Sequence, residues 1–305
     1  MTYKIKNIMS FLFFFILLYL IICNSSVVSS SVIESANIFF YKVFPSIFPS
    51  FILSEFLINY NFTYYVNLLL KDIFSFLFKI NPNSSYIIIL SLFSGLPSNA
   101  KFINDAYESK VIDEKEATKL MAFTFFPNPL FVINTVGVIL LNSFSVGVKM
   151  LLSIYLSNFI LAILIRNNYV SKSSDNIIIR DTDSFSNTLK RSIDGAFKTC
   201  LIILGSITIF NVLYRIISSL FGFNIYLNSI FISFLEMTSG INIISSLDLS
   251  YDIKIILISA CLSFTGLCIL SQAKSMINFK INFRFIILCR FIVVLINIFI
   301  IRLII

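Results

Sequence analysis

The chain has 305 residues, of which 58% are hydrophobic and only 12% charged, and a mean hydropathy of +0.94 excludes an ordinary soluble protein. With no histidine, it also excludes His-based general-base chemistry, His metal sites and His pH switches. A net charge of +8 would suggest nucleic acid in a soluble chain, but here it fits Lys- and Arg-rich loops on one side of a bilayer, so no nucleic-acid partner is expected.

From the amino terminus, Lys4 and Lys6 precede an apolar run over 8–23, followed by the Ser-rich stretch "NSSVVSSS". That order is shared with signal peptides. The apolar segments that follow favour an uncleaved first span over 8–28, with 1–35 forming a transmembrane helix and an outer loop. A second span is expected over 36–58, kinked by Pro45 and Pro49. The amphipathic stretch 62–80 suits the membrane interface. The next apolar run, 86–95, is too short to cross and ends in "SGLPSNAK". A polar helix at about 104–120 follows, with Asp113 placed as its N-cap, and the run "DAYESKVIDEKEATK" reads as a solvated helix face. Further spans are expected over 121–141, 146–165, 197–220, 252–271 and 283–304. A second short apolar run, 225–235, ends in "LEMTSGIN".

Basic residues set the expected orientation. Lys4 and Lys6, Lys71 and Lys79, the group from Arg166 to Lys198, and Lys274, Lys280 and Arg284 all belong in the cytoplasm, as does the amino terminus. This topology closes only if both short runs are re-entrant. The expected fold is therefore an all-α polytopic membrane protein, an inverted-topology repeat with two re-entrant, broken-helix segments. Its first repeat is 36–165, its cytoplasmic linker 166–196, and its second, inverted repeat 197–305. Matched, Gly- or Pro-interrupted short segments in two inverted halves point to a transporter-type site.

A helix that ends inside a membrane leaves backbone groups unpaired, so a break survives only inside protein or beside a wet cavity. Gly95 and Pro97 make the first break, and Ser94, Ser98 and Asn99 offer donors and acceptors there. Lys101 either snorkels to the cytoplasmic surface or takes a paired or solute-contacting role. The second break offers Glu236, Thr238, Ser239 and Gly240. Glu236 reads as a coupling group, as the partner of a buried lysine, or as a group touching headgroup water. Asn128 and Pro129 begin the 121–141 span, and Gln272 lies at the end of its counterpart. Thr265 and Gly266 read as helix-packing residues. The five cysteines form no CxxC pair, and no phosphate loop, nucleophile elbow or metal-ligand cluster is visible, so no enzymatic activity, cofactor or metal is expected.

The segments "SGLPSNAK" and "FTFFPNPLF" in the first half, and "FLEMTSGIN" with "SFTGLCILSQAKS" in the second, resemble the YlbJ-type sporulation integral membrane proteins. "VFPSIFPSFILSEFL" fits the start of that family's first repeat, and the resemblance runs from about 36 to 304. It implies a nucleoside-recognition, or Gate, domain in a bacterial cell membrane protein needed for the spore cortex. It points to Gly95, Pro97, Asn99, Ala100, Lys101, Asn128, Pro129, Glu236, Thr238, Gly240 and Gln272. Two departures are Asn99 in place of a second turn glycine, and "FTG" in place of Phe-Gly-Gly. The function implied is permease-like handling of a small polar solute, nucleoside-like or other, with a non-transporting scaffold or gate as the alternative. The lipid bilayer is the expected partner, and a homo-oligomer is left open.

Overall fold

The computed structural model describes residues 2–167 and 184–305. Residues 168–183, the middle of the expected linker, lie outside the described residues. All regular structure among the described residues is helical. Among the described residues, five helices are long and apolar enough to cross a membrane: Ser25–Asn59, Phe144–Leu164, Phe185–Phe221, Tyr251–Ser275 and Phe283–Ile304. Large apolar side chains such as Leu201, Leu295, Phe299 and Leu303 face outward, while much of the polar inventory is buried. That inside-out distribution suits hydrocarbon rather than water, and the protein is a polytopic helical membrane protein.

In chain order, α1 (Thr2–Cys23) leads into α2 (Ser25–Asn59), which runs without interruption through a π-helical turn at Phe39–Val43. Residues 29–35, expected as an outer loop after a first span over 8–28, are instead helical. The reason is local. The hydroxyls of Ser31 and Ser35 donate to carbonyls one turn back, at Val27 and Ser31, so Ser-rich sequence stays helical inside an apolar protein. Helix α3 (Phe62–Phe78) turns by 113° into the segment that becomes α4 (Ser85–Ser94). Its exposed Tyr65, Leu69 and Phe76 agree with an interfacial amphipathic helix.

Then come α5 (Ser98–Glu108), α6 (Glu114–Phe123), the π-helical α7 (Phe131–Leu140) and α8 (Phe144–Leu164). The expected span over 121–141 is not one helix. Residues 124–128 carry no helix, because Pro127 and Pro129 remove amide donors where the helix would have to continue. The second half holds α9 (Phe185–Phe221), α10 (Ile225–Leu235), α11 (Met237–Ser246), α12 (Tyr251–Phe264), α13 (Gly266–Ser275) and α14 (Phe283–Ile304). Helix α9 begins at Phe185, earlier than the expected 197. Both halves thus share one order: long helix, broken pair, interrupted helix, closing span.

The second broken pair doubles back on itself. Residues seven apart on a straight helix are separated by about 10 Å. Here a Cβ on Gly240 would stand 2.6 Å from Ser233 Cα, so α10 and α11 fold against each other. Helices α8, α12 and α14 form a bundle stitched by a buried polar seam. Ser259 Oγ donates to Asn297 Oδ1 at 2.7 Å, and Asn297 Nδ2 donates to Ser153 Oγ at 2.9 Å. Across α2 and α9, Asn211 Nδ2 donates to Ser35 Oγ at 2.9 Å, and Arg215 pairs with Glu34.

The charge run over 105–119 is not wholly a solvated face. Asp113 does cap α6, accepting from Glu116 N at 2.9 Å. But Glu116 is buried, and its Oε1 accepts from Asn81 N at 2.6 Å and from Ser84 Oγ at 3.0 Å. Lys119 is buried as well. Its ammonium donates to the carbonyls of Phe78 (2.7 Å), Lys79 (3.1 Å) and Arg166 (2.9 Å), at the C-terminal ends of α3 and α8. Helix ends have orphan carbonyls, and a buried cation meets that need.

Lys119→Met should lower the unfolding temperature, by an amount equivalent to roughly 1–3 kcal/mol, because buried carbonyls lose their donor. Burial lowers the Lys119 ammonium from its ordinary 10.5 to about 8, against the opposing pull of Glu116. Between those values the unfolded chain holds a proton that the folded chain lacks, so this group adds stability as pH rises through the window. The melting temperature of the native chain relative to Lys119→Met should therefore climb between about pH 8 and about pH 10. A flat difference would mean that Lys119 sits in water.

Candidate functional site

The chain breaks converge in pairs. Gly95, which ends α4 at φ +72°, lies so close to the second break of its half that a Cβ would stand 2.5 Å from Asn128 N. Asn128 fastens that contact. Its Nδ2 donates to Ser94 O at 2.9 Å, satisfying an end of α4, while its Oδ1 accepts from Phe131 N at 3.2 Å at the start of α7. In the second half, Gly266 at φ +75° would place a Cβ 3.2 Å from both Leu235 O and Met237 N. Each half therefore presses the break of its broken pair against the break of its interrupted helix, with glycine allowing backbone contact. Gly266 belongs to this contact, beyond the general packing role expected of it.

Between the paired breaks lies a cavity of ≈ 40 Å³, walled by Val43 and Ile47 of α2, Leu96, Pro97, Pro127 and Asn128 of the first half, Ile203 and Ile207 of α9, and Glu236, Met237, Thr238, Ile269 and Gln272. That space holds a few waters at most and is too small for a nucleoside-sized molecule. Glu236 is 1% exposed and caps α11, accepting from Thr238 N at 2.8 Å and Ser239 N at 2.6 Å. Two backbone donors at a helix N-terminus offset the cost of burying a carboxylate. Its partners are amides rather than a lysine, and its burial rules out contact with headgroup water. Gln272 Nε2 donates only to Cys268 Sγ, at 3.3 Å, and its carbonyl oxygen takes no donor among the described residues. Thr238 also lines the cavity, and its hydroxyl has no hydrogen-bond partner among the described residues.

The sequence-predicted residues thus fall into groups. Pro97, Asn128, Glu236, Thr238 and Gln272 line one cavity. Ser94 and Gly95 contact the lining Asn128 and Gly240 packs on Ser233, without lining the cavity themselves, and Ser94 Oγ is spent on Leu90 O at 2.8 Å. Asn99 points elsewhere: its Nδ2 donates to Thr124 O at 3.2 Å and Thr124 Oγ1 at 3.3 Å, leaving Oδ1 buried without a donor. Ser239 Oγ is buried and unpartnered, while Ser98, Ala100 and Pro129 do not line the cavity. Lys101 pairs with Glu55 of α2, on the floor of a separate vestibule of ≈ 580 Å³. Glu55, Ile58, Lys101, Asp105, Lys190, Arg191, Asp194 and Lys198 are among the residues lining it.

Two residues escaped the sequence reading. Glu55 is one, and the other is Arg290, fully buried in α14. Arg290 Nη2 donates to Ala122 O in the last turn of α6 and to Asn158 Oδ1 at 3.0 Å. Its guanidinium carbon lies 5.0 Å from the Phe125 ring centroid, and its Nε and Nη1 have no partner. The guanidinium thereby caps the half-helix that leads into the Pro127–Asn128 break. Each is a lone charge inside an apolar stretch, "FILSEFLIN" and "ILCRFIVV", and that is the signal that could have found them.

The fold and site define a class: a multi-pass helical membrane protein whose interrupted helices meet around a buried carboxylate. No family model matches the chain, and no solved structure matches it. It is similar to the sporulation integral membrane protein YlbJ of Bacillus subtilis (strain 168), 24% identical over 313 residues, which cover 90% of this chain and 76% of that protein. That similarity supports the resemblance to YlbJ-type proteins.

Gly95→Ala should destabilise the protein by about 2 kcal/mol or more, since the new Cβ meets backbone and the φ is left-handed. Gly205→Ala, with nothing within 4 Å of its Cβ position, should be neutral or slightly stabilising. Unfolding temperatures in the same detergent make the comparison. Equal effects at both sites would mean that the breaks do not touch.

Proposed function

We propose that the chain is a sporulation-associated, permease-like protein of a bacterial cell membrane, holding a small polar solute where its broken helices meet, in support of spore cortex or envelope formation. The observation that carries this reading is the cavity itself. It is apolar apart from Asn128, Glu236, Thr238 and Gln272, and two of these keep free hydrogen-bonding capacity. Sites of that composition, at the junction of discontinuous helices in two matched halves, suit solute binding in membranes. The nucleoside-like solute and the Gate-type domain belong to this proposal, as do the inverted orientation of the halves and the cytoplasmic amino terminus. No catalytic step is assigned, because no nucleophile–base pair lines the cavity.

A scaffold reading has its own support. Asn128 and Glu236 spend hydrogen bonds on the breaks themselves, and ≈ 40 Å³ admits water but no larger solute. On the permease reading, this is a closed state. Single cysteines at 238 and 272 in a chain lacking its five native cysteines discriminate the two. Labelling by a small water-soluble thiol reagent is expected at both positions. A cysteine at 99, which faces Thr124, should stay unlabelled until the protein is unfolded. Silence at 238 and 272 in the folded protein would leave the scaffold as the function.

A further inference from the structure

The vestibule and the cavity lie in line along the same three helices. On α2, Val43 and Ile47 line the cavity, whereas Glu55 lines the vestibule. On α9 the same order runs in reverse, with Ile203 and Ile207 at the cavity and residues 187–198 at the vestibule. On α5, Pro97 lines the one and Lys101, a single turn away, lines the other. The intervening faces are closed by small or apolar side chains at helical spacing. Phe51 and Ser54 on α2 and Ala196 and Cys200 on α9 are each no more than 5% exposed. About 12 Å of α2 separates Ile47 from Glu55.

At the cavity-facing end of the vestibule, the Lys101 ammonium meets the Glu55 carboxylate and ties α5 to α2. The Lys101 side chain is 44% exposed and that of Glu55 16%, so the pair is wetted from the vestibule side and backed by packed protein. The vestibule is a charged recess, lined by Lys101, Lys190, Arg191 and Lys198 beside Glu55, Asp105 and Asp194, and it is cut into the helices that also wall the cavity. Here it lies in line with the cavity that Glu236, Thr238 and Gln272 help to wall.

We infer that the vestibule is the entrance to the cavity, and that the Lys101–Glu55 ion pair is the latch that holds α5 against α2 and closes it. Opening separates the two charges into vestibule water, where each is solvated, so the latch is easily reversed. This inference rests on the cavity being a solute site, and it adds the side from which solute enters and the contact that yields.

The test uses the cysteine-free full-length protein in lipid nanodiscs, carrying Thr238→Cys and reacted with a small methanethiosulfonate reagent. Glu55→Gln and Lys101→Met should each raise the labelling rate at 238 about fivefold, the shift expected on losing a partly exposed ion pair. The reversed pair, Glu55→Lys with Lys101→Glu, should return the rate toward the parent value, which a merely misfolded variant would not do. A cysteine at 297, on the face of α14 buried against α8 and α12, should label at a constant slow rate and so reports any general loosening. If 238 labels in the parent but neither single substitution changes its rate, the latch is wrong while the solute site stands. A rise at 297 matching that at 238 would also overturn the latch, since packing rather than the entrance would have changed.

Discussion

Every broken helix in this protein exposes backbone amides and carbonyls where no water can satisfy them, and the rest of the structure is organised around meeting that demand. Asn128 serves two ends at once, the carbonyl of Ser94 and the amide of Phe131. Glu236 serves the start of α11 with both carboxylate oxygens. Lys119 collects carbonyls from α3 and α8, and Arg290 takes one from α6. Unlike in composition, these groups do one job. They explain why charged residues persist in the interior of a chain that is otherwise so apolar.

The same arrangement shapes the electrostatics of the cavity. At each break the C-terminal end of one half-helix lies beside the N-terminal end of the next, so their dipoles largely offset one another. What remains among the lining residues is the single carboxylate of Glu236, with no lysine or arginine beside it. The cations nearest in sequence to the cavity walls have other partners, Lys274 lying 5.2 Å from the Phe283 ring centroid. Lys42 binds Asn242 Oδ1, and Lys101 binds Glu55. A site built this way accepts hydrogen-bond donors more readily than anions, whatever its occupant.

The first break was legible in the sequence because Gly95 and Pro97 interrupt a short apolar run. Pro127 and Pro129, by contrast, read as part of a single span over 121–141, much as Pro49 does sit within the continuous α2. The pairing of breaks across each half was not legible, since it depends on backbone contacts at Gly95 and Gly266 between segments far apart in sequence. The Ser-rich 29–35 stretch misled for the opposite reason: serine reads as loop when water competes for its hydroxyl, yet stays helical when its hydroxyl donates to the previous turn. Glu116 and Lys119 look like any solvated pair on a charged helix. Only the packing of α3 and α8 around α6 turns them into buried caps. Asn99 shows the limit of motif reading within the site, because its place beside Pro97 brought it near the cavity while its side chain turned to Thr124.

Two features pull the functional reading in different directions, and their combination is informative. Satisfied breaks and a cavity of ≈ 40 Å³ describe a sealed interior, whereas the unpartnered Gln272 carbonyl and Thr238 hydroxyl describe one that is not chemically finished. Unpartnered polar atoms also occur away from the cavity, at Asn99 Oδ1 and Ser239 Oγ, and each costs free energy, but those of Gln272 and Thr238 differ in lying on the cavity wall beside a carboxylate. A permanently open channel would have no reason to back its vestibule with packed side chains and an ion pair. On the permease reading, alternation between closed and open states would satisfy both sets of observations, with the Lys101–Glu55 pair as the contact that yields and the glycine crossings keeping each half intact.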